Sequence, residues 1–263
     1  MTILYIILAV VGITCIFILV WLLRFKKGAK MLKWIFENEN TIVFGYKGAG
    51  KDLIFNKVIN YRNVPAYANI QYSKKLCVTK DISDFSIAPN TFESLINQNI
   101  TIVKKLNKEN CDYYISDAGN YIPSQCNNIL CKKYPSFPAY YSFSRHLTNS
   151  NIHCNTQKLN RVWDKLREQA GHFVRAVHTT KLFNMLITEY VFYDRYESAN
   201  SMLNPYESTG LIKHSESRAN EEDFKAKHGR VERYYICQFI KNVHYDSRWA
   251  HRLIYGYNSP TTT

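Results

Sequence analysis

The run Thr41-Ile-Val-Phe-Gly-Tyr-Lys-Gly-Ala-Gly-Lys-Asp52 holds the residues best suited to chemistry. Gly45, Tyr46, Lys47, Gly48, Ala49, Gly50 and Lys51 keep the Gly-x-x-x-x-Gly-Lys spacing of a phosphate-binding loop. Glycines there let the backbone take conformations closed to other residues and turn its N–H groups toward an anion. A helix starting after the loop would add unpaired N–H groups and a positive dipole end. Lys51 would then reach the outer phosphates of a nucleotide. The hydroxyl residue that normally follows this lysine and holds Mg²⁺ is Asp52 in this chain. Two readings of Asp52 stand open. It is a hard oxygen ligand for Mg²⁺ that also repels phosphate oxygens, or it caps the helix against its dipole.

A second candidate is Cys111-Asp-Tyr-Tyr-Ile-Ser-Asp117. A β-prone run, Tyr113 to Ile115, leads to the carboxylate of Asp117. At the end of a strand beside a phosphate loop, such a carboxylate holds Mg²⁺. The next residue is Ala118, where a glutamate would favour fast hydrolysis. A third candidate is Asn151-Ile-His-Cys-Asn-Thr-Gln157, a strand ending in a polar cluster. Such a cluster can sense a terminal phosphate or position water, and Asn155 or Thr156 can equally serve as a helix N-cap. Arg161 and Arg167 follow, each either a solvated charge or a group that reaches a phosphate in a neighbouring subunit. Arg145 joins them as a candidate to act between subunits, because an arginine supplied in trans stabilises transition-state charge.

These residues need a frame. Ile42 to Phe44 reads as a buried strand entering the glycine loop, and Leu53 to Val58 as the helix leaving it. Further strands are expected at 76–79, 113–115, 151–157, 173–179, 185–193 and 234–240, with a short helix at 91–97 and an ambiguous stretch at 101–106. Lys158 to Ala170 predicts one helix, with Leu159, Val162, Trp163, Leu166 and Ala170 along its apolar face and Gly171 as its stop. Residues 197–230 read as a polar loop with one short helical piece. The pattern predicts an α/β P-loop nucleotide-binding fold: a mostly parallel central sheet flanked by helices over 41–195. A C-terminal β-rich extension over 196–263 follows.

Before that domain lie residues 3–23, without a single charge. A helix of about 20 apolar residues matches a hydrocarbon core, so residues 1–23 are expected to be one transmembrane anchor. Arg24, Lys26, Lys27, Lys30 and Lys33 follow at once, which predicts an inner-membrane, single-pass protein with its N-terminus outside and its bulk in the cytoplasm. The basic juxtamembrane segment, 24–40, is expected to carry a short amphipathic helix at 28–40 near the lipid surface. Across the whole chain 34 Lys+Arg stand against 21 Asp+Glu, a net charge of +13, which favours anionic partners. Seven cysteines are scattered without a CxxC pair, as expected of free thiols in a reducing compartment.

The chain resembles the filamentous-phage assembly ATPases related to zonula occludens toxin. Four elements carry the resemblance in order: Gly45-Tyr-Lys-Gly-Ala-Gly-Lys51, Ile115-Ser-Asp117, Ser144-Arg145-His146, and Asn155-Thr-Gln157 with arginines after it. It covers roughly residues 40–195. The resemblance implies ATP and Mg as cofactors, with Lys51 on phosphate, Asp117 on the metal and Gln157 as the γ-phosphate sensor. It implies assembly or extrusion of a filamentous-phage-like virion, with homo-oligomerisation. Its partners would be single-stranded DNA and coat or export-channel proteins. Asp52, Ala118 and the N-terminal position of the anchor depart from the family pattern. Those departures leave open a non-hydrolysing, nucleotide-binding membrane scaffold.

Overall fold

The computed structural model describes residues 2–62, 64–70, 72, 77–79, 111–126, 128, 141, 144–146, 149–201 and 230–243. Among these, eight strands form one sheet: β1 (Thr41–Phe44), β2 (Ala66–Ala68), β3 (Cys77–Thr79), β4 (Asp112–Ile115), β5 (Ile152–Thr156), β6 (His172–Leu182), β7 (Met185–Tyr193) and β8 (Val231–Phe239). Their order is β3-β2-β4-β5-β1-β6-β7-β8. All pairings from β3 through β6 are parallel, and β7 runs antiparallel to both β6 and β8. The mostly parallel sheet expected from the sequence is therefore present. Its last strand, the one expected in the C-terminal extension, pairs with β7 along nine residues of the same sheet.

Parallel strands covered on both faces read as continuous apolar runs, and Ile42, Val43 and Phe44 are fully buried. Ile42 and Phe44 face one core, shared with Ile115, Cys154, Leu159, Trp163 and Leu166. Val43 faces the other, shared with Ile54, Phe55, Val58 and Tyr114. The helix α2 (Lys51–Arg62) lies on that second face.

The helix α1 (Thr2–Asn38) corrects the N-terminal expectation in one respect. The anchor and the separate juxtamembrane helix are one uninterrupted helix. One face of its last turns packs into the protein: Met31, Leu32, Ile35 and Phe36 are buried in the second core. Gly28 permits this docking, because a Cβ there would stand 1.9 Å from the backbone oxygen of Tyr235 in β8. The transmembrane expectation for residues 3–23 is not supported: among the described residues no helix is long and apolar enough to cross a membrane.

The single helix expected over 158–170 is also corrected. A 3₁₀ turn (Leu159–Arg161) and α4 (Asp164–Gln169) replace it. Between them Val162 is extended and bridges to Pro123, and the Trp163 N–H donates to Ile122 O at 2.9 Å. That long-range pairing wins over helical hydrogen bonding, yet the apolar face survives, with Leu159, Val162, Trp163 and Leu166 all buried. Two short helices complete the described elements, α3 (Ala118–Tyr121) and α5 (Tyr196–Ser201). The strand β2 had no sequence expectation. The expected helix at 91–97, the stretch 101–106, most of the polar loop and the tail lie outside the described residues.

Candidate functional site

Parallel strands bring their C-terminal ends to one edge, where open α/β sheets bind ligands. In the order β4-β5-β1, that edge sets Asp117, Gln157 and the glycine loop side by side. The loop leaves β1 at Gly45 and enters α2 at Lys51. Gly45, Gly48 and Gly50 have φ of 151°, 80° and 105°, conformations that side chains resist. The surroundings exclude side chains as well. A Cβ on Gly45 would stand 2.4 Å from Ala176 O, and one on Gly50 2.5 Å from Thr179 Oγ1. Tyr46, Lys47 and Gly48 form the exposed crest and Ala49 is buried.

Lys51 is buried, and its Nζ donates to Tyr46 O at 3.1 Å. The ammonium thus lies folded along the loop. Burial lowers its pKa from the ordinary lysine range, and the charges of Asp52 and Asp117 work against that. Asp117 sits in the left-handed region (φ 51°, ψ 42°) at the start of α3, a conformation aspartate tolerates better than most residues. Burial raises its pKa, Asp52 raises it further and Lys51 lowers it. One lysine and two carboxylates therefore share one electrostatic environment.

Asp52 occupies the first turn of α2 and ties that turn to three other segments. Its Oδ1 accepts from Tyr72 Oη at 2.6 Å, Ser116 Oγ at 2.8 Å and Asn155 Nδ2 at 2.8 Å. Asn155, fully buried at the end of β5, also accepts the Asp117 N–H on its Oδ1 at 2.8 Å. Ser116 is held in turn by Asn69: its N–H donates to Asn69 Oδ1 at 2.7 Å, and its carbonyl accepts from Asn69 Nδ2 at 2.9 Å. The network locks the start of α2 to the ends of β2, β4 and β5. Tyr72, Ser116 and Asn69 escaped the sequence reading, since none belongs to a spaced motif; Ser116 had only its place before Asp117.

A small cleft lies beside this network, lined by Asp117, Gly119, Asn120, Thr156, Gln157 and Arg161. The structure thus gathers Lys51, Asp52, Asp117, Gln157 and Arg161 at one edge. It does not bring Arg145 and Arg167 there within one chain. Arg145 pairs with Glu39 at 3.6 Å, next to the start of β1 and so at the opposite end of that strand. Arg167 bonds the Tyr196 hydroxyl and lies over its ring, 5.2 Å from the centroid. Hard carboxylate oxygens suit Mg²⁺, and Asp117, raised by burial and then by the charge of Asp52, is in the setting a cation relieves. Asp117 fits that role. Asp52 fits it only through Oδ2, because Oδ1 already serves three donors. Among the described residues, no group of three or more His, Cys, Asp or Glu is placed to hold a metal ion.

No protein-family model matches the chain, and no curated protein matches it either. Solved structures do. The genome packaging NTPase B204 from Sulfolobus turreted icosahedral virus 2, in complex with ATP-gammaS, is 13% identical and overlaps 61% of this chain and 94% of its own, with a TM-score of 0.39. The N-terminal domain of zonular occludens toxin from Neisseria meningitidis is 13% identical and overlaps 62% and 90%, with a TM-score of 0.40. B204 from Sulfolobus turreted icosahedral virus, a DNA-packaging ATPase, is 16% identical over 79% and 95%, at 0.36. Similarity at this level does not carry those proteins' functions to this chain.

Proposed function

We propose that this chain binds ATP on the loop from Gly45 to Asp52 and hydrolyses it with Mg²⁺, as a membrane-anchored motor for assembly or export of a filamentous-phage-like virion. The observation that supports it most is the loop itself. Three glycines with positive φ, a buried lysine and a helix N-terminus converge at the C-terminal edge of a parallel sheet. There the backbone N–H groups and the start of α2 bind phosphate oxygens, and Lys51 turns from Tyr46 O onto the β- and γ-phosphates.

Asp117, whose backbone N–H is held by Asn155, would hold the metal. When bound, Mg²⁺ neutralises charge developing on the phosphates. Gln157, exposed at the end of β5, orients the attacking water, and Arg161 across the cleft faces the terminal phosphate. Little covalent work falls to the protein, because phosphoryl transfer is governed by positioning and charge. Single-stranded DNA as cargo, coat or channel partners and a homo-oligomeric assembly belong to the same proposal, supported by the order of the four sequence elements. The inner-membrane anchor rests on the uncharged run 3–23 and the basic flank after it.

A second reading, a nucleotide-binding scaffold that does not hydrolyse, is favoured by Ala118. It is fully buried in the first core, so the position following Asp117 in the chain supplies no carboxylate to polarise water. One experiment separates the readings: the full chain in mild detergent, a fluorescent ATP analogue, and a single-turnover assay with and without single-stranded DNA. Lys51→Ala should lose binding by at least tenfold, and unchanged affinity in that variant would refute the nucleotide site. Bound ATP recovered intact from wild type would favour the scaffold.

A further inference from the structure

The hairpin of β6 and β7 runs far past the edge where the phosphate loop sits. Phe44, the end of β1, is level with Arg175, and β6 continues to Leu182. Seven more residues at roughly 3.3 Å each carry the tip about 20 Å beyond that level. Leu182 pairs with Met185, so only Phe183 and Asn184 make the turn. Phe183 has φ 50° and is 88% exposed. A turn that needs positive φ favours glycine or asparagine, and burial does not explain a phenylalanine there. Local folding and core packing therefore leave this aromatic ring unaccounted for.

Its surroundings have one character. Lys181 and Leu182 are exposed beside it. Met185 pairs with Phe239 of β8, and the Ile240 N–H donates to Asn184 O at 3.0 Å, which brings the end of β8 under the tip. Phe239 is half exposed, with Lys241 Nζ 5.9 Å from its ring centroid. Neither 179–188 nor 233–243 contains an acidic residue. Exposed rings interleaved with lysines match a polymer that offers both a flat π-face and a phosphate, and unpaired bases on a charged backbone supply both.

The root of the same hairpin grips the phosphate loop. Thr179 Oγ1 donates to Ala49 O at 3.0 Å, and Tyr190 Oη donates to Gly50 O at 2.8 Å. From β8, Gln238 Nε2 donates to Leu53 O at 2.6 Å, and in the 3₁₀ turn after it (Ile240–Asn242) Asn242 O accepts from Asn56 Nδ2 at 3.0 Å, both partners on α2. Movement of the loop or of α2 is thus passed to both strands that carry the tip.

We propose that the tip formed by Lys181, Leu182, Phe183, Phe239 and Lys241 is a binding surface for single-stranded nucleic acid, coupled to the phosphate loop through Thr179 and Tyr190. This names where the polymer of the proposed function is held, and it rests on that reading for its nucleotide dependence.

The test uses the full chain in mild detergent, labelled oligothymidylate and a labelled duplex of equal length, read by fluorescence anisotropy over a salt series. A fluorescent ATP analogue is titrated into the same samples. Phe183→Ala should weaken single-strand binding on the order of tenfold by loss of one stacked base and leave nucleotide affinity unchanged. Lys181→Ala should lower the salt slope by about 0.7. Tyr61→Ala, an exposed ring on α2 away from the tip, should change neither. Equal binding of single strand and duplex, or unchanged affinity in Phe183→Ala, overturns the proposal. So does self-association of wild type without DNA that Phe183→Ala abolishes, which would assign the tip to contacts between copies. A wild type that binds the oligonucleotide but no nucleotide would sink the ATP reading and leave the tip assignment standing.

Discussion

The side-chain amide of Asn155 donates to Oδ1 of Asp52 at 2.8 Å while its own oxygen accepts the Asp117 N–H at 2.8 Å. Only one orientation of the amide satisfies both bonds. The end of β5 therefore sets the separation of the two acidic residues at the glycine loop. A serine or threonine at position 52 would be too short to accept from Tyr72, Ser116 and Asn155 at once. The substitution of the usual hydroxyl by a carboxylate is thus matched by three donors that a standard loop does not need.

Asp52→Thr tests both roles of this carboxylate. Leaving buried donors without their acceptor should lower stability by about 2–3 kcal/mol, read as a shift of the urea midpoint. Removing a negative charge from beside the phosphates should also raise ATP affinity in EDTA several-fold and weaken the dependence on Mg²⁺. Calorimetric titrations with and without the metal measure this. An identical affinity ratio in wild type and variant would leave Asp52 a structural bridge alone.

The sequence made the frame of this site legible where local pattern and global fold agree. Ile42 to Phe44, the glycine spacing and the run to Asp117 all depend on short-range order, and β1, the loop and β4 follow them. What could not be read was set by distant partners. Val162 is extended because it meets Pro123. Met31, Leu32, Ile35 and Phe36 of α1 are buried because Gly28 admits Tyr235, while the lysines between and before them stay exposed. Tyr72 reaches Asp52 from outside any motif. The three arginines looked equivalent in sequence, and only the fold separates Arg161, at the cleft, from Arg145 and Arg167.

That separation is testable. Arg161→Ala should reduce turnover by a hundredfold or more if its guanidinium meets transition-state charge, with the thermal midpoint unchanged because the side chain is exposed. Arg167→Ala should act in the opposite pattern, lowering stability by about 1–2 kcal/mol through loss of the Tyr196 contacts. Mixing Arg161→Ala with Lys51→Ala should restore activity only if Arg161 serves a neighbouring subunit. Recovery with Arg145→Ala in its place would move that role to Arg145.

Stability should also fall as pH drops below the ordinary histidine range. His153 is fully buried between the Phe36 ring at 4.9 Å and the Tyr114 ring at 5.1 Å, and neither ring nitrogen has a hydrogen-bond partner. Burial, then Arg62 and His172, hold its pKa well below 6.5, and burial lowers His172 as well. The unfolded chain takes up protons below pH 6.5 that the native chain refuses, so unfolding gains up to about 1.4 kcal/mol per pH unit per histidine. Burial raises the carboxyl of Asp112 and gives it the opposite sign, in a window that opens at 3.8. Urea midpoints from pH 7.5 down to about 5.5 should decline, and His153→Leu should flatten that slope. An equal slope in the variant would mean that His153 is protonated in the native state.

The two glycines of α1 offer a test of where the folded domain begins. Gly12 has nothing within 4 Å of a Cβ placed on it, whereas a Cβ at Gly28 would sit 1.9 Å from Tyr235 O. That oxygen belongs to a backbone paired on β7 and cannot swing aside as a side chain would. Gly28→Ala must therefore push α1 off β8, loosening Met31, Leu32, Ile35 and Phe36 in the second core. Overpacking of this kind costs about 1–3 kcal/mol, and lost burial of the four side chains adds to it. Gly12→Ala should be neutral or slightly stabilising, since alanine favours helix by about 0.8–1 kcal/mol over glycine. Thermal midpoints of the full chain in detergent should fall by several degrees for Gly28→Ala and stay level or rise for Gly12→Ala. Equal small changes at both positions would show that the helix does not dock through Gly28. Residues 28–38 would then belong with the N-terminal run rather than with the α/β domain.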